Sequence, residues 1–335
     1  MVHFVGAGCG APDLITLRGR RLLEEADVIV YAGSLVNPAL LGFAKKDCRI
    51  YNSAQMTLEE VIAVMEEAES RQQMTVRLHT GDPSLYGAIR EQIDRLKEQK
   101  IAYGVTPGVS SFCGAAAALD AEYTLPGITQ SVIITRMAGR TPVPEAESIA
   151  SLAAHGCAMV IFLSAGMLEG LQRELLKGAY TEQTPAAIVY KASWPEERTL
   201  RCPLGNLARC GKEAGISKTA LVMVGNFLGD VYDRSCLYDP AFTTEYRQGT
   251  DTAGSANEYS YHLFQPKWRN ARAEDSGSGG CLCCRLGAYT VFRSRSRKSV
   301  GLDKAGFSAG QQSDLYRSGR NCRARDRTVC QCKAE

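Results

Sequence analysis

The residues best placed to do chemistry sit in three glycine-rich turns, each of which follows an apolar, β-like run. The first is Gly6-Ala7-Gly8-Cys9-Gly10-Ala11-Pro12. The second, Thr80-Gly81-Asp82-Pro83-Ser84-Leu85-Tyr86-Gly87, follows Val76-Arg77-Leu78-His79, and the third is Thr106-Pro107-Gly108-Val109-Ser110-Ser111. Glycine lets a backbone approach a ligand closely, and proline stiffens a turn without needing an amide partner. At the carboxyl ends of strands such turns make a crevice walled mainly by backbone, which suits a nucleoside-bearing ligand. A fourth candidate, Leu163-Ser164-Ala165-Gly166, follows an apolar run in the second half. Asp82 is expected to face this crevice with its carboxylate, although a lone Gly-Asp-Pro is an ordinary surface turn. His79 adjoins the second turn and reads either as a buried, hydrogen-bonded structural histidine or as a proton relay. Asp82 and His79 are the candidates for a catalytic role. The sequence offers no His/Cys/Asp triad and no cluster at metal-ligand spacing.

The first turn is not a dinucleotide fingerprint. It lacks the G-x-G-x-x-G spacing, and Pro12 interrupts the helix start that would hold a pyrophosphate. No acidic residue ends the second strand to hold a ribose, because Ala32-Gly33 follows Tyr31.

The elements that must position these turns alternate between strand and helix. Strands are expected at residues 2–8, 27–31, 74–78 and 101–105, with helices at 16–25, 57–70, from about 88 to 99, and 112–119. Thr57 is the expected N-cap of an acidic amphipathic helix. The alternation predicts a mostly parallel sheet covered on both faces. A second α/β half follows, with strands at 131–135, 158–163, 186–190 and 220–225 and helices near 145–155, 166–178 and 204–214. The expected organisation is an N-terminal α/β domain (1–119), a C-terminal α/β domain (120–248) and a tail (249–335).

The 335-residue chain has a net charge of +3, but the two ends differ. Residues 251–335 hold 15 Lys/Arg against 8 Asp/Glu, leaving 24 against 28 for residues 1–250. A nucleic-acid role would therefore rest on the tail alone. No apolar run approaches the roughly 18 residues of a membrane span. The start enters a strand pattern at His3-Phe4-Val5, which leaves no room for a cleavable leader, so the expected compartment is the cytoplasm. Seven scattered body cysteines read as reduced thiols. The tail has no apolar periodicity and much Gly, Ser, Arg and Cys, which fits a disordered basic segment. Read from the second nucleotide with ordinary codons, residues 314–334 encode an apolar strand, a glycine turn and a helix. This makes out-of-frame translation of roughly residues 255–335 the better account of the tail.

The three turns together resemble the tetrapyrrole (uroporphyrin/corrin) methyltransferase family. Within it, Tyr31-Ala32-Gly33-Ser34-Leu35-Val36-Asn37-Pro38 and Val189-Tyr190-Lys191-Ala192-Ser193-Trp194-Pro195-Glu196-Glu197 are similar to the precorrin-4 C11-methyltransferase branch. The resemblance covers about residues 2–247. It implies two α/β domains of the tetrapyrrole methylase type with S-adenosylmethionine in the cleft between them, a homodimer, and methylation of C11 of precorrin-4 or cobalt-precorrin-4. The out-of-frame tail peptide resembles the start of a cobalt-precorrin-5A hydrolase, which favours the cobalt-bearing substrate. By family position Cys9, Thr80, Gly81, Asp82, Leu85, Ser110, Ser111, Leu163 and Ala192 would line the cofactor site, with Thr219 and Ala220 near the adenine. Arg136, Arg140 and Lys191, near predicted strand ends, are candidates for the substrate's carboxylates, against the alternative of ordinary solvated charges. One departure stands out. The family usually has Gly-Pro-Gly-Asp-Pro where this chain has Gly8-Cys9-Gly10-Ala11-Pro12, and the expected consequence is weaker binding there or a decayed copy.

A sulfonium donor disperses charge as its methyl transfers, so the resemblance implies catalysis by in-line placement, about 3–3.5 Å from carbon to methyl, in a water-poor cleft. Three competing readings remain. One is a methylase of another corrin carbon, and another is a non-catalytic remnant. The third is an RNA 2′-O-methyltransferase on the same fold, which the acidic body disfavours.

Overall fold

The computed structural model describes residues 1–33 and 35–250, so the tail expectation for 255–335 lies outside the described residues. The first half is a five-stranded sheet of β1 (Val2–Gly6), β2 (Val28–Tyr31), β3 (Arg49–Asn52), β4 (Thr75–His79) and β5 (Tyr103–Thr106). Its order is β3-β2-β4-β1-β5, and every pairing is parallel, as the alternation predicts. The connecting helices are α1 (Leu17–Glu25), α2 (Leu58–Ser70) and α3 (Ile89–Glu98), followed by α4 (Ser111–Ala118). Buried Val5, Ile29, Val76 and Leu78 face α1 on one side of the sheet. Val2, Phe4, Val28 and Val30 pack beneath α2 and α3 on the other. Thr57 caps α2 as expected, in a reciprocal capping box with Glu60.

The second sheet differs. It comprises β6 (Val132–Arg136), β7 (Ala158–Phe162), β8 (Pro185–Tyr190), β9 (Arg198–Pro203) and β10 (Ala220–Val224) in the order β6-β7-β10-β8-β9. Only β6 and β7 run parallel, and the β7–β10, β10–β8 and β8–β9 pairings are antiparallel. α5 (Ile149–Ala153), α6 (Leu168–Leu175) and α7 (Leu207–Glu213) cover one face. The other face is covered by α4, which precedes this half in sequence. Ala115 and Leu119 pack with Val160, Val189, Leu221 and Met223 of the second sheet. α4 thus packs on the second sheet although it follows the last strand of the first. Arg201 of β9 fixes the arrangement by donating to the backbone carbonyl of Leu119 and to that of Leu228 at 3.1 Å. Among the described residues no helix is long and apolar enough to cross a membrane.

Candidate functional site

Strand order brings the three turns together. β1 lies between β4 and β5, so the turns leaving their carboxyl ends are neighbours on one sheet edge. Gly8 and Gly81 bond reciprocally, with N–H to O distances of 3.3 and 2.9 Å. A Cβ on Gly108 would stand 2.2 Å from the Gly81 carbonyl oxygen, and one on Gly6 would stand 2.6 Å from Gly108. No side chain fits at this junction, which is why glycine recurs there. Gly81 adds a left-handed φ of 59°.

Asp82 ties two of these turns. Its Oδ1 accepts from the Ser84 amide at 2.8 Å and from the Ser84 hydroxyl, while Oδ2 accepts from the Gly108 amide at 2.9 Å. Burial alone would raise its pKa, but the bonds from Ser84 and Gly108 together hold the carboxyl below its ordinary value. The carboxylate expected at the crevice is thus also the brace of the turns around it. Asp82 lines the cavity, but both oxygens are engaged in bracing the turns.

A cavity of about 440 Å³ opens beside this edge, between the two sheets. The first half contributes Cys9, Leu35, Thr80, Gly81, Asp82, Leu85 and Tyr86, and the start of α4 adds Ser110 and Ser111. Ser110 makes no side-chain cap, so the first turn of α4 stays open. The second half contributes Phe162, Leu163, Lys191, Ala192, Trp194, Ser217, Lys218, Thr219 and Ala220, among others. Every residue expected around the cofactor thus borders one space. Tyr86, Leu163, Lys191 and Thr219 on its walls hold positive φ between 48° and 56°, a concentration of backbone strain common at ligand sites. Tyr86 and Phe162 meet across the two halves with ring centroids 5.4 Å apart.

The other candidates separate. His79 does not border the cavity. It is 4% exposed, its ring is stacked 6.0 Å from Phe4, and its Nε2 has no hydrogen-bond partner among the described residues. The expectation of a hydrogen-bonded structural histidine is corrected on that point. Burial, assisted by the Arg77 charge, pushes its pKa down to about 3, which keeps it neutral. Arg136 spends its guanidinium on its own loop, donating to the carbonyls of Met137, Thr141 and Pro142 at 3.4, 3.2 and 2.7 Å. Arg140 is exposed outside the cavity lining. Lys191 does line it, 3.4 Å from Glu196 and 5.0 Å above the Trp194 ring. Sequence reasoning missed Leu35, Tyr86, Phe162, Trp194, Ser217 and Lys218. Leu35 and Trp194 lie in the two branch-like stretches, which was the available signal.

The tetrapyrrole (corrin/porphyrin) methylase family model matches residues 1–208. A cobalt-precorrin-4 C(11)-methyltransferase of Methanocaldococcus jannaschii is 52% identical over 248 residues, which span 74% of this chain and 96% of that one. A crystal structure of a cobalt precorrin-4 methyltransferase, a cobalamin biosynthetic enzyme, superposes with a TM-score of 0.67 at 42% identity. That match covers 68% of this chain and 96% of the other. The uroporphyrin-III C-methyl transferase of Thermus thermophilus, complexed with S-adenosyl homocysteine, superposes at 0.58 and 26% identity over 68% of this chain and 98% of its own.

Proposed function

The chain belongs to the tetrapyrrole (corrin/porphyrin) methylases, and from that premise we propose that it methylates C11 of cobalt-precorrin-4, or of precorrin-4, using S-adenosylmethionine. The observation that carries the reading is the cavity of about 440 Å³, bordered by all eleven residues expected around the cofactor. Its volume falls within the range of about 300–1,000 Å³ usual for small-molecule sites. The walls fit a nucleoside joined to an amino acid: backbone and hydroxyl groups at Thr80, Gly81, Ser110, Ser111 and Thr219, and apolar contact from Leu35, Leu85, Ala192 and Leu221. Lys191 and Lys218 are the cations of the lining, and the one carboxylate, Asp82, is already hydrogen-bonded.

When bound, S-adenosylmethionine supplies an electrophilic methyl on a sulfonium. The chain's own work is placement. Asp82 braces the turns that form the floor, and the glycine junction lets those backbones stand close together. The apolar residues of the second half exclude water, which strengthens every electrostatic contact in the cleft. Neither Asp82, with both oxygens occupied, nor His79, buried away from the cavity, acts as a base in this reading. Lys191 serves the substrate's carboxylates, whereas Arg136 and Arg140 are not among the residues that border the cavity. We also assign a homodimer and a cytoplasmic location, consistent with reduced cysteines in the body of the chain.

Calorimetry with S-adenosylhomocysteine, followed by turnover of cobalt-precorrin-4 read as the mass gain of one methyl, tests the reading. Stoichiometric binding is expected. Asp82→Ala should weaken it by about tenfold or more, because bonds to a charged acceptor contribute roughly 1.5–3 kcal/mol. A folded protein that binds no S-adenosylhomocysteine would sink the proposal.

A further inference from the structure

The Gly8–Pro12 turn departs from the family pattern at Cys9 and Ala11, yet it holds a defined shape. What holds it comes from outside the turn. Gly10 receives the Trp194 ring so closely that a Cβ there would lie 2.2 Å from the ring's Cδ1 and 2.6 Å from the Ala192 carbonyl oxygen. Asn37 donates its Nδ2 to the Gly10 carbonyl at 2.9 Å. Cys9 is 7% exposed and lies against Gly114 of α4, where a Cβ would meet its side chain at 2.7 Å. The polar link across the halves is Ser193. Its Oγ accepts from the Ala11 amide at 2.9 Å and lies 3.3 Å from the Cys9 sulfur.

Ser193 is itself held firmly. It occupies a left-handed φ of 63°, two residues after Lys191 at 48°. Its amide donates to the Glu197 carboxylate at 2.5 Å, and the Trp194 amide donates to the Lys191 carbonyl at 3.0 Å. The Lys191 amide in turn reaches the Thr219 carbonyl at 3.0 Å, which connects the loop to the β10 end of the cavity. Strain at two non-glycine residues persists only where surrounding bonds over-determine it. Cys9, Lys191, Ala192 and Trp194 all border the cavity, so this contact lies directly behind its wall.

We propose that Ser193 is a positioning residue that latches the Gly8–Pro12 turn of the first half to the β8–β9 loop of the second, and so sets the spacing of the cavity walls. Ala11 offers no side-chain cap to the Pro12–Leu14 turn it precedes, and its amide is taken by Ser193. Asn37 and Gly81 hold the turn from its own half, and Ser193 adds the restraint from across the cleft. On this account the departure from the family pattern relocates the turn's anchor and does not mark decay. The proposal rests on the methyl-donor reading of the cavity.

The test compares wild type, Ser193→Gly and Ser193→Cys in the full chain. Glycine suits a φ of 63° and removes only the side chain. Ser193→Gly should therefore keep the wild-type Tm while its affinity for S-adenosylhomocysteine falls roughly fivefold, the size of one net hydrogen bond. In turnover, KM for the methyl donor should rise with little change in kcat. Ser193→Cys places a second thiol beside Cys9. Treated with diamide, an azo oxidant that takes up the two hydrogens released as the S–S bond forms, it should lose two more titratable thiols than the wild type treated alike and still bind S-adenosylhomocysteine. Unchanged affinity in Ser193→Gly, a cross-link that abolishes binding, or no cross-link at all would each overturn the latch. Failure of the wild type to bind S-adenosylhomocysteine would count against the donor reading instead, so the two failures are distinguishable.

Discussion

The two sheets build the same cavity by different means. The first half is all parallel, and its strand order sets three turns side by side, so it contributes a floor in which Gly81, Ser110, Ser111 and one braced carboxylate rest on a junction of glycines, edged by Leu35, Leu85 and Tyr86. The second half is mostly antiparallel and contributes side chains: Phe162, Leu163, Lys191, Trp194 and Lys218. A backbone floor tolerates almost no substitution at its contacts, because a peptide group cannot move aside as the end of a side chain can. A side-chain wall adjusts by rotamer. The first half should therefore fix whether a methyl donor binds, and the second should tune how well a particular substrate is held.

The largest effect should separate these roles at two glycines. In Gly108→Ala the new Cβ meets backbone atoms of Gly81 at 2.2 Å and of Gly6 at 2.8 Å, and neither can yield without moving a strand end. Overpacking of this kind costs about 1–3 kcal/mol, and here it falls on the cavity floor. We expect a clear drop in Tm and loss of S-adenosylhomocysteine binding by calorimetry. In the second half, Gly215 has a φ of 67°, and a methyl added there would find nothing within 4 Å. Gly215→Ala should cost only the local backbone strain, about 1–3 kcal/mol, and leave affinity unchanged. Equal loss of binding in both variants would erase the distinction.

What could be read from the sequence follows the same division. Glycine turns are legible because close approach of backbones admits one residue type, and so the turns that carry Gly81, Asp82, Ser110 and Ser111 could be placed at a crevice in advance, while those residues as cofactor neighbours came from the family resemblance. Two strands were not anticipated, β3 and β9. Both are edge strands whose residues are mostly half-exposed or exposed, such as Arg49, Asn52, Arg198 and Arg201, so they lack the apolar run that marks a central strand. The antiparallel pairing of the second sheet was hidden because helices also separate most of its strands. The small residues of α4 show no apolar stripe, and nothing local told which sheet it would cover. Trp194 and Lys218 reach the cavity through loop conformations with positive φ at Lys191 and Thr219, which composition does not reveal.

A mid-sized effect concerns the buried histidine under the floor. The folded-state pKa of His79 is about 3, below its ordinary 6.5, because burial and the neighbouring Arg77 disfavour the charged ring. The unfolded chain therefore binds the extra proton first, and its stabilising contribution is complete above pH 6.5 and lost as pH falls toward about 3. Tm measured from pH 7 down to pH 4 should decline in the wild type. The decline should be shallower in His79→Leu, which removes the titrating ring and its unpartnered Nε2. Parallel curves would show that another group governs acid loss.

The smallest effect tests the side-chain wall. Lys191 pairs with Glu196 at 3.4 Å, and Glu196 is 60% exposed, so the pair is screened by solvent. Exposed pairs of this kind contribute about 0.2–1 kcal/mol, and contact with the Trp194 ring adds a similar amount. Lys191→Met keeps the apolar stem against that ring and removes the charge. Its Tm should stay close to that of the wild type, and its affinity for S-adenosylhomocysteine should match it, because the floor is untouched. Binding of a polycarboxylate tetrapyrrole, followed by the shift of its Soret absorption, should weaken a few-fold, with less dependence on salt than in the wild type. If instead the donor affinity fell and tetrapyrrole binding held, Lys191 would belong with the floor residues in function, and the division of labour between the two sheets would have to be redrawn at that loop.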